Sequence, residues 1–94
     1  MSPELSVADN PAADRYELHV DSELVGFITY RRSDGVLSLL HAEVDPNQER
    51  RGLGSALAAG ALDDVRARGL SVHPLCPFVA SFIARHPQYA DLVT

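Results

Sequence analysis

A chain of 94 residues, 46% apolar and 22% charged, has room for one modest soluble core, and the sequence leaves monomer and homodimer open. Its 8 basic and 13 acidic residues give a net charge of −5 with the acidic residues scattered, which argues against nucleic acid as a partner. All eight cations are Arg and none is Lys, so an anion site here rests on Arg side chains and backbone N–H groups, and no lysine serves as base or nucleophile.

Residues 1–15 hold Pro3, Asp9, Asn10, Pro11 and Asp14 and no apolar run, so they are expected to be neither a signal peptide nor a membrane span. They read as a flexible lead-in to a single domain over residues 16–94. Tyr16 to Asp21 alternates apolar and polar residues, the period of a half-buried strand. Leu24 to Arg31, rich in Val, Phe, Ile, Thr and Tyr, follows one short connection later as its antiparallel partner, although the turn at Asp21-Ser22-Glu23 is poorly specified. Ser33-Asp34-Gly35 is a stronger turn signal, since Asp-Gly supplies positive φ, and Val36 to Val44 becomes a third strand. After Asp45-Pro46-Asn47 the period changes. Leu53, Leu57, Ala61 and Val65, with Ala58 and Leu62 beside them, follow helical spacing up to Arg68-Gly69. Ser71 to Leu75 reads as a fourth strand, parallel to the third, and Pro77 opens a helix with Phe78/Phe82 and Val79/Ile83 on one face until Pro87. The Phe78/Phe82 pair is expected in the core. The fold class is therefore α+β with a mixed sheet: a three-stranded antiparallel meander followed by strand–helix–strand–helix.

The junction of the third strand and the first helix carries the clearest chemistry. Residues 46–54 read Pro-Asn-Gln-Glu-Arg-Arg-Gly-Leu-Gly. Backbone N–H groups at a helix start lack internal partners and sit at the positive end of the helix dipole, which suits a phosphate. Gly52 and Gly54 let the main chain approach an anion, and Arg50 and Arg51 add charge-assisted donors. The same residues also suit a Gly-rich connection with Arg on a solvated surface. A P-loop is excluded because it requires Lys. The dinucleotide fingerprint fails as well, with Leu57 where a third small residue belongs and Val72 near the expected acidic position.

Glu49-Arg50-Arg51-Gly52-Leu53-Gly54 resembles the Gln/Arg-x-x-Gly-x-Gly/Ala signature of the GNAT acetyltransferase superfamily, and Val44-Asp45-Pro46 before it and Ser55-Ala56-Leu57 after it resemble that superfamily's strand-to-helix junction. Glu49 departs from the signature, and a carboxylate pointing inward there would oppose a phosphate. Three further segments are similar to a minimal branch of roughly hundred-residue acetyltransferase-like proteins: His41-Ala42-Glu43-Val44, Leu75-Cys76-Pro77-Phe78-Val79, and Arg85-His86-Pro87-Gln88-Tyr89-Ala90-Asp91-Leu92-Val93. The resemblance implies an acetyl-coenzyme A cofactor held by Val44, Glu49, Arg50, Arg51, Gly52, Leu53, Gly54 and Ser55, with His41 and Cys76 as active-site residues near the thiol end.

The residues themselves permit that placement. Parallel strands that splay leave a crevice at their carboxyl ends, and Cys76 lies at a strand end just before a helix start, which favours thiolate. Alternation puts Leu37, Leu39, His41 and Glu43 on one face of the third strand. Equally, a lone Cys suits a small buried hydrophobe and a His among leucines a hydrogen-bonded structural role. A zinc site from His41, His73 and Cys76 is not expected, because residues 73 and 76 face opposite sides of a strand and no paired ligand motif exists. The single Cys excludes an internal disulfide and fits a reducing cytoplasm.

The expected activity is acetyl transfer to an unidentified amine or peptide acceptor, with His41 or Glu43 as base and N–H groups of Glu43 or Val44 stabilising the oxyanion if the strand bulges there. A covalent acetyl-Cys76 route is the variant. The alternative function is an acyl-coenzyme A sensor or interaction module without efficient catalysis, which the brevity of the chain favours.

Overall fold

The computed structural model describes residues 4–48 and 52–94. Its elements are β1 (Leu5–Asn10), β2 (Arg15–Val20), β3 (Glu23–Ser33), β4 (Val36–Val44), α1 (Leu53–Ala67), β5 (Ser71–Pro74) and α2 (Pro77–Arg85), with short 3-10 turns at Pro11–Ala13 and Pro87–Leu92. The strands form one sheet in the order β1-β2-β3-β4-β5, antiparallel through β4 and parallel between β4 and β5. None of these helices is long and apolar enough to cross a membrane.

The antiparallel part has four strands rather than the expected three. β1 occupies much of the stretch expected as a lead-in and pairs along its length with β2, from Leu5 opposite Val20 to Asn10 opposite Arg15. Its weak pattern has a tertiary cause. Val7 packs on α1 at Gly60, where a Cβ would stand 2.6 Å from Val7 Cβ. Asp9 also points inward, and its carboxylate takes a 2.6 Å hydrogen bond from the Tyr30 hydroxyl and a 2.9 Å ion pair from Arg68. β1 further explains the poorly specified turn. Asp21 and Ser22 both have positive φ, 50° and 72°, although neither is Gly, and Glu4 holds them by donating its N–H to Asp21 Oδ1 and accepting Asp21 N–H, each at 2.9 Å. Asp34 and Gly35 repeat the turn geometry at φ 50° and 77°.

α1 buries Leu53, Leu57, Ala58, Ala61, Leu62 and Val65 against the inward side chains Tyr16, Leu18, Ile28, Tyr30, Leu37, Leu39 and Val72. The helix ends as glycine predicts: Gly69, at φ 68°, donates to Arg66 O and Leu70 to Val65 O, at 3.1 and 3.0 Å. α2 adds Val79, Phe82 and Ile83 to the same core. The opposite sheet face, with Arg15, Glu17, His19, Phe27, Thr29, His41 and Glu43, stays partly or fully exposed.

One irregularity reorients the end of β4. Thr29 pairs with His41 but Tyr30 with Leu39, so Leu40 is an extra residue in the ladder. A bulge of this kind shifts side-chain alternation by one. Leu37 and Leu39 point into the core, but beyond the bulge it is Ala42 and Val44 that face inward. His41 and Glu43 therefore do not share a face with Leu37 and Leu39; they lie on the open side with side chains 60% and 61% exposed.

Candidate functional site

The strand β4 outlives its parallel neighbour. The β4–β5 ladder ends at Leu39 opposite Pro74, and Cys76 N–H makes a last 2.8 Å bond to Leu39 O before Pro77 turns the chain into α2. On its other edge Asp45 N–H is bound to Val25 O at 2.7 Å. Antiparallel alternation then commits the Glu43 main chain to β3 and turns the N–H groups of Ala42 and Val44 into the gap that β5 leaves.

The first turn of α1 forms a second wall. Gly52 is the N-cap in a left-handed conformation, φ 81°, with no described residue within 4 Å of where a Cβ would sit. The first helical bond runs from Ala56 N–H to Gly52 O at 2.8 Å. The amides of Leu53, Gly54 and Ser55 precede that bond, and among the described residues no side chain caps the helix. Three N–H groups thus stand at the positive end of the helix dipole.

Phe78 at the start of α2 supplies a third wall. A Cβ on Gly54 would lie 2.9 Å from Phe78 Cζ, so the glycine makes room for the ring. Ala42, Glu43, Val44, Gly54, Leu57 and Phe78 enclose a cleft of about 190 Å³. Sequence reasoning put Phe78 in the core with Phe82. Phe82 is there, 2% exposed, but Phe78 is 37% exposed and lines the cleft. The adjacent Cys76-Pro77 pair was the available signal, because proline in the first turn fixes where α2 begins and hence which aromatic overhangs α1.

Of the residues singled out from sequence, Val44, Gly54 and Glu43 line the cleft, and Gly52 and Ser55 stand at the helix start beside it. Leu53 turns its side chain into the core, 3% exposed, and leaves only its N–H outside. Glu49, Arg50 and Arg51 lie outside the described residues. His41 Nε2 is 3.2 Å from Glu43 Oε1 on the open face, with its ring 6.4 Å from that of Phe27. Cys76 is 4% exposed within the core and does not line the cleft, and no hydrogen bond joins it to His41. The oxyanion role of the Glu43 or Val44 N–H was conditional on a bulge there, and the β3–β4 ladder has its bulge at Leu40.

The His-Pro-Gln-Tyr segment has an architectural part. His86 Nδ1 lies 2.8 Å from Phe82 O with its ring stacked on Phe82 at 4.0 Å. Tyr89 donates its hydroxyl to Asp63 at 2.8 Å, and Arg66 grips Asp91 through two 2.8 Å bonds, tying the C-terminal turn to α1. Burial and the Asp63 bond raise the Tyr89 phenol above its ordinary pKa.

No curated protein matches the chain. A family model described as GCN5-related N-acetyl-transferase matches residues 15–92, a span that holds β2 to α2, the cleft and the C-terminal turn. With a match over most of its length, the chain belongs to the GCN5-related N-acetyltransferase family.

Proposed function

We propose that the protein transfers an acetyl group from acetyl-coenzyme A to an amine. One observation carries this reading: the free N–H edge of β4 and the first turn of α1, which no side chain among the described residues caps, meet at one cleft. The amides of Leu53, Gly54 and Ser55 would hold the pyrophosphate, with Arg50 and Arg51 next to them in the sequence. Ala42 and Val44 would bond the pantetheine and the acyl carbonyl along the gap. The cofactor, when bound, supplies an activated acyl carbon, at which a C–N bond forms as the C–S bond breaks and sulfur leaves with the electron pair.

Glu43 is the base in this reading, because it is the titratable residue among those that line the cleft. The amine proton passes to Glu43 and from there to His41, whose exposed ring delivers it to solvent. Val44 N–H rather than Glu43 N–H serves the acyl oxygen, since the latter faces β3. Burial of Cys76 supports direct attack over a covalent acetyl-Cys76 route.

Calorimetry with acetyl-coenzyme A and a thiol-release assay over amines and peptides test the proposal. Micromolar binding with amine-dependent release is expected, and Cys76→Ala should keep most of the turnover; an inactive but folded Cys76→Ala would restore the covalent route. A second reading, an acyl-coenzyme A sensor, draws on the two-residue connection between β2 and β3, which leaves the open sheet face without a covering element among the described residues. Tight binding with no release for any amine would favour the sensor, and absence of binding would defeat both.

A further inference from the structure

A second and larger cleft, about 470 Å³, lies where the β3–β4 ladder ends, lined by Leu24, Val25, Gly26, Phe27, Glu43, Val44, Asp45 and Pro46. It shares Glu43 and Val44 with the smaller cleft, so only the end of β4 separates the two. Its volume is that of a small-molecule site. Leu24, 40% exposed, and Phe27 give it an apolar wall. Among the described residues its charged groups are both acidic. Glu43 Oε1 meets His41 at 3.2 Å and Asp45 Oδ1 accepts Asn47 N–H at 2.9 Å, which leaves the second oxygen of each carboxylate without a protein partner among the described residues. The cation beside Phe27 is Arg15, 5.0 Å from the ring centroid, and it is already paired with Glu17 at 2.7 Å.

We infer that this cleft receives the acceptor and that the acceptor is an alkyl chain with two positive charges, one the reacting ammonium and the other held by Asp45. The inference rests on the acetyl-transfer reading. Apolar walls take the methylene stem, Glu43 sits between the clefts to deprotonate the near nitrogen, and Asp45 binds the far one by a charge-assisted hydrogen bond. Such a chain is met as a free diamine or as a lysine side chain beside another cation in a peptide.

Amide and methyl chemical shifts of the intact protein, titrated with putrescine, butylamine and a peptide of adjacent lysines, separate the outcomes. Shifts are expected at Leu24, Val25, Phe27 and Asp45, with the dications binding about tenfold tighter than butylamine and Asp45→Asn removing that preference. Asn keeps the acceptor for Asn47 N–H, and a second variant, Leu24→Arg, puts a cation on the exposed rim and should weaken putrescine similarly. Which dication binds better identifies the source. Equal binding of putrescine and butylamine, or shifts elsewhere, would overturn the inference. Putrescine bound in this cleft with no thiol release would support the site and defeat the transfer reading instead.

Discussion

At position 54 a hydrogen atom stands where any other residue would push on Phe78. The two residues come from separate motifs, Gly-Leu-Gly and Cys-Pro-Phe, and their contact makes one wall of the smaller cleft. Gly54→Val is therefore expected to close the cleft. Replacing a helical glycine by valine gains roughly 0.3 kcal/mol in helix propensity, which partly offsets the displacement of one exposed ring, so the denaturation midpoint should move little. Acetyl-coenzyme A affinity should fall by about tenfold or more, for a loss of roughly 1–2 kcal/mol. Calorimetry beside a urea titration checks both, and unchanged affinity would place the cofactor elsewhere. The glycines were legible because backbone freedom is a property of residue type. The role of Phe78 was not, because its neighbour lies on another element 24 positions earlier in the chain.

The elements met the sequence reading closely where periodicity is strong, as in β2 and α1, and diverged where a neighbour overrides local pattern. β1 is the first such case. Gly60 faces Val7 so closely that the strand's side chain rests against the helix where a Cβ would stand. Gly60→Ala, which on an exposed helix would stabilise by about 1 kcal/mol, should here destabilise by roughly 1–2 kcal/mol through overpacking. A urea midpoint measures this, and in a double-mutant cycle with Val7→Gly the two losses should not add; a stabilised single variant would refute the β1 docking. The Leu40 bulge is the second case. Nothing in Leu-Ser-Leu-Leu-His-Ala-Glu-Val announces an extra residue, since Leu39 and Leu40 serve equally well as the inward side chain. β3 makes the choice by pairing Tyr30 with Leu39 and Thr29 with His41. That choice sends His41 and Glu43 to the open face and leaves Cys76 in the core.

Across the whole molecule, one polar network joins the sheet to its helix. Tyr16 and Tyr30, with rings 5.6 Å apart, donate to Asp64 and Asp9 at 2.6 Å each, and Arg68 pairs with both carboxylates at 3.0 and 2.9 Å. Burial, then the bond to Asp9 and that carboxylate's charge, push the Tyr30 phenol from 10.0 up to about 12. Burial and Asp64 raise Tyr16 further. The folded state thus keeps protons that the unfolded chain releases above its ordinary phenol pKa of 10.0. The stability these phenols contribute is complete below that pH and is lost as pH climbs through the folded values. Tyr30 alone should cost on the order of 2 kcal/mol across this window. Urea midpoints measured from neutral pH into that range should fall, and the fall should be shallower in Tyr30→Phe. A pH-independent midpoint would contradict the network.

The amino-acid sequence by itself determined the period of β2 and of α1, the glycine stops and turns, and the chemical character of the segment before Leu53. These depend on residue type and on spacing within a few positions, which any chain of this pattern carries wherever it folds. Tertiary structure decided which side of β4 carries His41 and Glu43, that Cys76 is enclosed, that Phe78 rather than Phe82 borders the cleft, and that residues 5–10 complete the sheet. Each of those outcomes turns on a contact between residues far apart in the chain. Local propensity is nearly neutral at those positions, and packing supplies the difference.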